Sequence, residues 1–109
     1  MAPVLTAVAQ FDLHRNPKGG AYPLLVDLQA DLLGSLATRV VAPMMSMKRY
    51  GARPITRLNP VIRVKDVDYV VVLQELAAVP LSALGEAVGS LADRRVDLVA
   101  AVDLLFTGI

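Results

Sequence analysis

The sequence contains no cysteine and no tryptophan, and His14 is its only histidine. Without cysteine the chain has neither a thiol nucleophile nor disulfides, which fits the reducing cytoplasm as the expected location. A zinc site needs several histidine or cysteine ligands, and a serine–histidine–aspartate arrangement would have to use His14. We therefore expect no metal site, no cofactor and no catalytic residues. A ribonuclease that uses bases other than histidine remains the enzymatic alternative.

Long apolar runs are also missing, since none approaches the roughly 18–20 residues that span a bilayer. The N-terminus lacks a basic region followed by an apolar core, so no signal peptide and no membrane partner are predicted. Gly19 and Gly20 precede a predicted strand instead of a helix, which argues against a phosphate-binding loop.

Valine, leucine and alanine supply most of the apolar content, which makes up 55% of the 109 residues. A chain of this length fits one domain, spanning residues 1–109, that can bury a core without disulfides or metal. The excess of apolar residues predicts that part of them forms a subunit interface. We therefore expect a homodimer.

Charge is unevenly distributed along the chain. Residues 32–65 hold seven bases and no acid, whereas residues 66–109 hold seven acids and two bases. A basic middle indicates an acidic partner, and a solvated loop is the alternative. The seven bases are Arg39, Lys48, Arg49, Arg53, Arg57, Arg63 and Lys65.

Apolar periodicity and turn residues predict several short strands followed by one clear helix. Pro43 places the end of the third strand at an edge or bend. Asp93 is the expected N-cap of the last helix, and Gly108 is expected to end it. The predicted strands cover residues 4–13, 24–29, 39–44, 60–64 and 69–75; loops or turns cover 14–21, 48–58 and 66–68; helices cover 81–91 and 94–106.

Two features of this pattern bear on function. The last helix is apolar nearly all round, with Asp103 the only polar residue of 98–106, so one face should pack on the sheet and another should meet a partner. Asp27 and Asp31 could form a carboxylate pair. Asp27 lies within an apolar alternation, however, so a hydrogen-bonded structural role is expected for it and a turn position for Asp31.

Six segments between Tyr22 and Ile109 together carry a family resemblance. They are Tyr22-Pro-Leu-Leu-Val-Asp-Leu-Gln-Ala-Asp-Leu-Leu33, Arg39-Val-Val-Ala-Pro-Met44, Asn59-Pro-Val61, Ala77-Ala-Val-Pro-Leu-Ser82, Leu84-Gly-Glu86 and Asp103-Leu-Leu-Phe-Thr-Gly-Ile109. In constant order, they resemble the CcdB family of toxins. That family has an apolar strand with Val-Asp-Val-Gln followed by Ser-Asp-Ile-Ile, and it ends in Asn-Leu-Met-Phe-Trp-Gly-Ile.

The resemblance implies a mainly-β (α+β) fold, a small SH3-like antiparallel barrel with a C-terminal helix, that assembles as a dimer. It also implies the toxin of a type II toxin–antitoxin pair that binds the DNA gyrase A subunit and traps gyrase on cleaved DNA. The family's gyrase contacts carry over to seven positions, two of which depart from the family: Asp103 replaces its Asn and Thr107 replaces its Trp. The seven are Leu32, Leu33, Asp103, Phe106, Thr107, Gly108 and Ile109.

The resemblance further implies a cognate antitoxin whose disordered C-terminal part wraps the toxin. We expect bases of the loops to recruit it, since opposite charge raises the association rate. Contact with nucleic-acid phosphate is the rival interpretation, and no direct readout of a nucleic-acid sequence is expected. A CcdB-fold protein that binds antitoxin without poisoning gyrase, and a small-barrel ribonuclease toxin, are the alternative functions. The expected antitoxin-binding residues are Arg15, Lys18, Lys48, Arg49 and Arg53.

Overall fold

The computed structural model describes residues 8–109, which form a curled antiparallel sheet with a helix at the C-terminal end. This confirms the expected fold class. The elements are β1 Asp12–Arg15, β2 Leu24–Asp27, β3 Thr38–Ser46, α1 Met47–Tyr50, β4 Val61–Val64, β5 Val67–Val71, β6 Ala77–Pro80, β7 Ala87–Ser90 and α2 Arg95–Thr107. The hydrogen-bonded strand order is β4-β5-β3-β2-β1-β7, and β6 also pairs with β3.

Strand β3 is the central element of the sheet, because three other strands pair with it. On one side it faces β2, and on the other it faces β6 with its first half and β5 with its last residues. Pro43 lies inside β3, where the partner changes from β6 to β5, and its carbonyl accepts from the backbone N of Val72 at 2.9 Å. The strand runs on to Ser46, so the prediction that it ends at Met44, with Pro43 near its end, is wrong. A proline has no N–H to donate, and the change of partner is a point where the strand tolerates that loss.

The β4–β5 hairpin turns on Lys65 and Asp66, whose φ angles are 47° and 67°. Positive φ at both central residues is the geometry of a tight two-residue hairpin turn. Strand β5 therefore starts at Val67, earlier than the predicted 69–75, and ends at Val71. A 3-10 turn, Leu73–Glu75, follows and directs the fully buried Leu73 into the core.

The first strand starts later than the predicted 4–13. Residues 4–7 of that prediction lie outside the described part of the chain, which starts at residue 8. The strand begins at Asp12 and includes His14, which we expected in a loop. His14 is 4% exposed, and its Nδ1 lies 3.0 Å from the carbonyl oxygen of Gly85. The segment around Gly85 runs alongside the end of β1, bonded to the backbone of Arg15, and its carbonyl meets the buried His14 ring.

The predicted helix over 81–91 is wrong. Leu81–Ala83 form a 3-10 turn, and β7 pairs with β1. Gly85 allows this arrangement, because a Cβ at this position would lie 2.5 Å from the backbone oxygen of Arg15. Two glycines in this segment also disfavour a helix, and pairing with β1 gives their backbone another partner.

Helix α2 covers the core with one face, as the sequence predicted. Leu98 and Ala101 are fully buried against a cluster that includes Phe11, Met44 and Leu73. A 3-10 turn, Ala92–Arg94, leads into the helix without a side-chain cap, so the prediction of Asp93 as N-cap is wrong.

At the other end of α2, Gly108 has a φ of 76°, and its N–H donates to the Leu104 oxygen, which confirms the predicted helix end. Between residues 8 and 109, neither helix is long and apolar enough to cross a membrane.

Candidate partner-binding surfaces

The first candidate surface is the 31–33 turn, a 3-10 turn from Asp31 to Leu33 in the β2–β3 connection. Leu32 is 91% exposed and Leu33 is 47% exposed. Leu36 is also 48% exposed, and neighbouring exposed apolar side chains of this kind mark protein–protein interaction sites. Asp31 is a turn residue, as predicted.

A buried ion pair lies beneath this turn. The Arg39 Nη2 atom is 2.7 Å from Asp27 Oδ2, and Arg39 Nε donates to the same oxygen at 2.9 Å. Both side chains are almost completely buried. The prediction that Asp27 is a structural, hydrogen-bonded carboxylate is confirmed, whereas Arg39 does not belong to the exposed basic surface that its charge suggested.

Gln10 connects the turn to helix α2. Its backbone N donates to Asp31 Oδ1 at 2.7 Å, and its side-chain Oε1 accepts from Arg95 Nη1 at 3.3 Å. The Arg95 guanidinium also lies over the ring of Phe11, 5.6 Å from its centroid. Phe11 has a φ of 69°, which is unusual for a bulky residue and marks a constrained backbone at this junction.

The second candidate surface is the 106–109 tail, formed by the end of α2 and the two residues after it. Phe106 is 67% exposed and Ile109 is 80% exposed. Thr107 is also exposed, and its hydroxyl donates to the Asp103 backbone oxygen at 2.6 Å. The guanidinium of Arg57 donates to the backbone oxygen of Ile109. The left-handed Gly108 turns the chain between Thr107 and Ile109, so both large apolar side chains remain available to a partner.

Asp103 lies one turn before Thr107 and lines a cleft of about 270 Å³ on the exposed side of α2. The seven expected gyrase contacts are thus divided between the 31–33 turn and the segment formed by the C-terminal half of α2 and the two residues after it. Within residues 8–109, no hydrogen bond joins the turn directly to the tail, and the link between them runs through Gln10 and α2. The cleft is lined by Arg95, Val96, Val99, Ala100 and Asp103.

The expected antitoxin-binding bases lie elsewhere, at the opposite end of the sheet from the 31–33 turn. Arg15 ends β1, Lys18 follows in the 16–23 loop, and Lys48 and Arg49 lie in α1 directly after β3. The predicted basic loop 48–58 thus starts as a short helix, which the Ser46 hydroxyl caps by accepting from the Arg49 N–H at 3.2 Å.

The ion pairs of residues 8–109 include Arg15 with Glu86 at 3.2 Å, and they do not include Lys18, Lys48, Arg49 or Arg53. These four side chains are exposed. They form a basic surface without carboxylate partners in residues 8–109, and Arg15, which is paired with Glu86, lies at its border.

Sequence reasoning missed several exposed apolar residues near the candidate surfaces. Val96 is 80% exposed on α2, and Leu36 is 48% exposed beyond the 31–33 turn. Helical periodicity could have identified Val96, because it projects from the side of α2 opposite Leu98. Nothing in the sequence pattern distinguished Leu36 from a core leucine. Over residues 8–109, acidic and histidine side chains form no group of three that could hold a metal ion.

Comparison with known families gives one match over almost the whole chain. The CcdB family model, described as CcdB protein, matches residues 10–108. The chain belongs to the CcdB family. Membership of CcdB makes the protein a toxin of the toxin–antitoxin type and agrees with the resemblance found from residue 22 onward. The match also includes Gln10 and Phe11, which connect the turn to α2, whereas the sequence resemblance reached only from Tyr22.

Proposed function

We propose that this CcdB protein is a homodimeric, cytoplasmic toxin that binds the A subunit of DNA gyrase and traps the gyrase–cleaved DNA complex. It acts by binding and catalyses no reaction itself. The observation that carries the proposal is the exposure of Leu32, Phe106 and Ile109, at 91%, 67% and 80%, at positions where the family resemblance implies gyrase contacts.

These side chains suit insertion into a cleft of another protein. Burying a leucine, isoleucine or phenylalanine side chain contributes about 1.5–3 kcal/mol, and a few such residues dominate a typical interface. The 31–33 turn and the 106–109 tail each carry apolar side chains on a short projecting segment. A dimer with closed two-fold symmetry would present two copies of each segment to its target.

Thr107 and Asp103 limit this binding. The family's Trp is a large anchor of the kind that contributes most to interface energy. Thr107 is small, and its hydroxyl is already bonded to the backbone of the helix. Asp103 adds a carboxylate where the family has a neutral amide. These two residues favour a second candidate function, a CcdB protein that binds its antitoxin but poisons gyrase weakly or not at all.

We further propose that an acidic antitoxin binds the basic end of the sheet, formed by Lys18, Lys48, Arg49 and Arg53, with Arg15 at its border. Four of these bases have no carboxylate partner within residues 8–109, so they can attract an acidic chain. Arg15 already pairs with Glu86 and would contribute less.

The test is induced expression of the toxin with and without a co-expressed antitoxin, followed by a gyrase cleavage assay. The proposal expects growth arrest, accumulation of cleaved DNA with gyrase, and relief by the antitoxin. A variant lacking Gly108 and Ile109 should melt near the wild-type temperature, because these residues lie beyond the core, yet lose toxicity. Antitoxin binding without cleaved DNA would select the second function. Loss of purified RNA in the presence of the toxin would indicate a ribonuclease instead.

The homodimer is tested separately by sedimentation of the purified toxin. We expect a dimer at micromolar concentration, since the family resemblance implies one and exposed side chains such as Val96 and Leu36 offer apolar surface to an interface. A monomer at that concentration would contradict this part of the proposal.

A further inference from the structure

The 31–33 turn has little packing of its own. Residues 30–38 are all exposed, and none of them belongs to the core cluster or packs against it. A binding loop without fixed contacts samples several conformations and loses affinity when the partner has to order it. The conformation of this turn therefore depends on hydrogen bonds that reach it from the rest of the molecule.

Gln29 supplies such bonds from the sheet. Its side-chain Nε2 donates to the Leu33 backbone oxygen at 3.0 Å, and its Oε1 accepts from the Val40 backbone N at 3.1 Å. The side chain is buried, with 8% of the residue exposed. One amide thus ties the last residue of the turn to the start of β3 and closes the base of the loop.

The buried ion pair fixes Gln29 in turn. The backbone N of Gln29 donates to Asp27 Oδ1 at 2.9 Å, and its backbone oxygen accepts from Arg39 Nη2 at 3.3 Å. A buried ion pair often stabilises a fold no more than apolar residues of the same volume would. Its directional bonds do, however, set the orientation of the groups it holds. Here those groups are the backbone N and O of Gln29.

We infer that Gln29 is a positioning residue, which holds the 31–33 turn in the conformation that presents Leu32 and Leu33 to gyrase. The identity of the partner rests on the proposed function, whereas the ordering of the turn does not. Gln29 is buried behind the turn and acts through the backbone of Leu33. This role requires one donor for the Leu33 oxygen and one acceptor for the Val40 N–H at a fixed separation. The side-chain amide of glutamine supplies both groups at the required length.

The experiment compares the wild-type toxin with Gln29→Met, which nearly keeps the volume and removes both polar groups. Hydrogen exchange is measured at the amides of Leu33, Gly34 and Leu36, whose local bonds report opening of the turn. Affinity for the purified gyrase A subunit is measured by calorimetry. We expect exchange to accelerate about tenfold or more. We also expect the affinity to fall about tenfold, because the partner must then order the turn.

Ile62→Val is the matched control. Ile62 is 3% exposed on β4, so the change weakens the core without touching the turn. It should lower the melting temperature and leave both the turn's exchange and the gyrase affinity of the folded protein at wild-type values. If Gln29→Met does not fold, Gln29→Asn replaces it, because it keeps the amide but is one methylene too short to reach Val40 and Leu33 together.

Two results would overturn the inference: unchanged exchange in the turn of the Gln29 variant, or faster exchange with wild-type gyrase affinity. Faster exchange together with weaker binding, and neither in Ile62→Val, supports it. If wild-type toxin fails to bind gyrase, the proposed function fails. The exchange rates alone then decide whether Gln29 orders the turn.

Discussion

The two ends of strand β3 carry different kinds of surface. The β2–β3 connection is apolar and held by buried groups, whereas the segment after β3 is basic and held by surface groups. The connection carries exposed leucines above a buried ion pair, and its backbone is held through Gln29. The far end carries Lys48 and Arg49 on α1, whose Ser46 cap is itself on the surface. Nine residues of β3 separate the two ends by about 26–30 Å. An apolar surface that must fit a partner needs a fixed shape, whereas a basic surface that attracts an acidic chain acts over a distance and tolerates mobility.

Arg39→Met should have the largest effect, since it leaves the Asp27 carboxylate buried without its partner. Breaking a buried pair from one side costs about 3–5 kcal/mol of unfolding free energy. Urea denaturation measures the loss, with Arg63→Met, which breaks an exposed ion pair with Asp68, as the control expected to change little. Equal losses of unfolding free energy in the two variants would mean that the buried Asp27–Arg39 pair stabilises the fold no more than an exposed ion pair does.

Thr107→Trp combined with Asp103→Asn should strengthen gyrase binding by about 2–4 kcal/mol, because it restores a large anchor and removes a charge. Calorimetry with the gyrase A subunit measures the gain, and antitoxin affinity serves as the internal control that should stay constant. An unchanged gyrase affinity would place the interface away from the 106–109 tail.

Leu32→Ala should weaken gyrase binding by about 1–2 kcal/mol, since the leucine is already exposed in the free protein and becomes buried only in the complex. Met47→Ala removes a partly exposed apolar side chain at the basic end and is the matched control. Calorimetry and thermal melting are compared for both. Equal losses of gyrase affinity in the two variants would show that the 31–33 turn is no more important for gyrase binding than the basic end of the sheet.

Reversing Lys48, Arg49 and Arg53 to glutamate should have the smallest effect on stability and slow antitoxin association severalfold at low salt. Stopped-flow mixing over a range of salt concentrations measures it, and gyrase affinity should remain at the wild-type value. An association rate that does not respond to these changes would leave the basic surface as a solvated loop.

The sequence predicted those parts of the fold that local signals determine. The end of α2 at Gly108 follows from the conformational freedom of glycine, and the structural role of Asp27 follows from a carboxylate within an apolar alternation. The helix predicted over 81–91 failed because β7 owes its conformation to pairing with β1, more than 70 residues earlier in the chain. Short apolar segments with glycine do not distinguish a strand from a helix without that partner.

The candidate site could be predicted only as positions, through the family resemblance. Counting charges placed Arg39 in a basic middle, because a count does not show which bases are paired. The roles of Gln10 and Gln29 depend on which acceptor atoms lie within hydrogen-bonding distance: the Asp31 carboxylate, 21 residues away, and the Leu33 backbone oxygen, 4 residues away. No periodicity in the sequence carries that information.

The close packing of Gly85 has a consequence for how mutations inactivate the toxin gene. Any side chain there would meet the Arg15 carbonyl, so every missense change of its codon displaces the segment that pairs with the end of β1. A host that loses its antitoxin survives only if the toxin is inactivated. Under the proposed function, survivors altered at Leu32 or Phe106 would still make a folded protein that binds the antitoxin, whereas survivors altered at Gly85 would make a misfolded chain that proteases degrade. The two kinds of survivor can be separated by immunoblot alone.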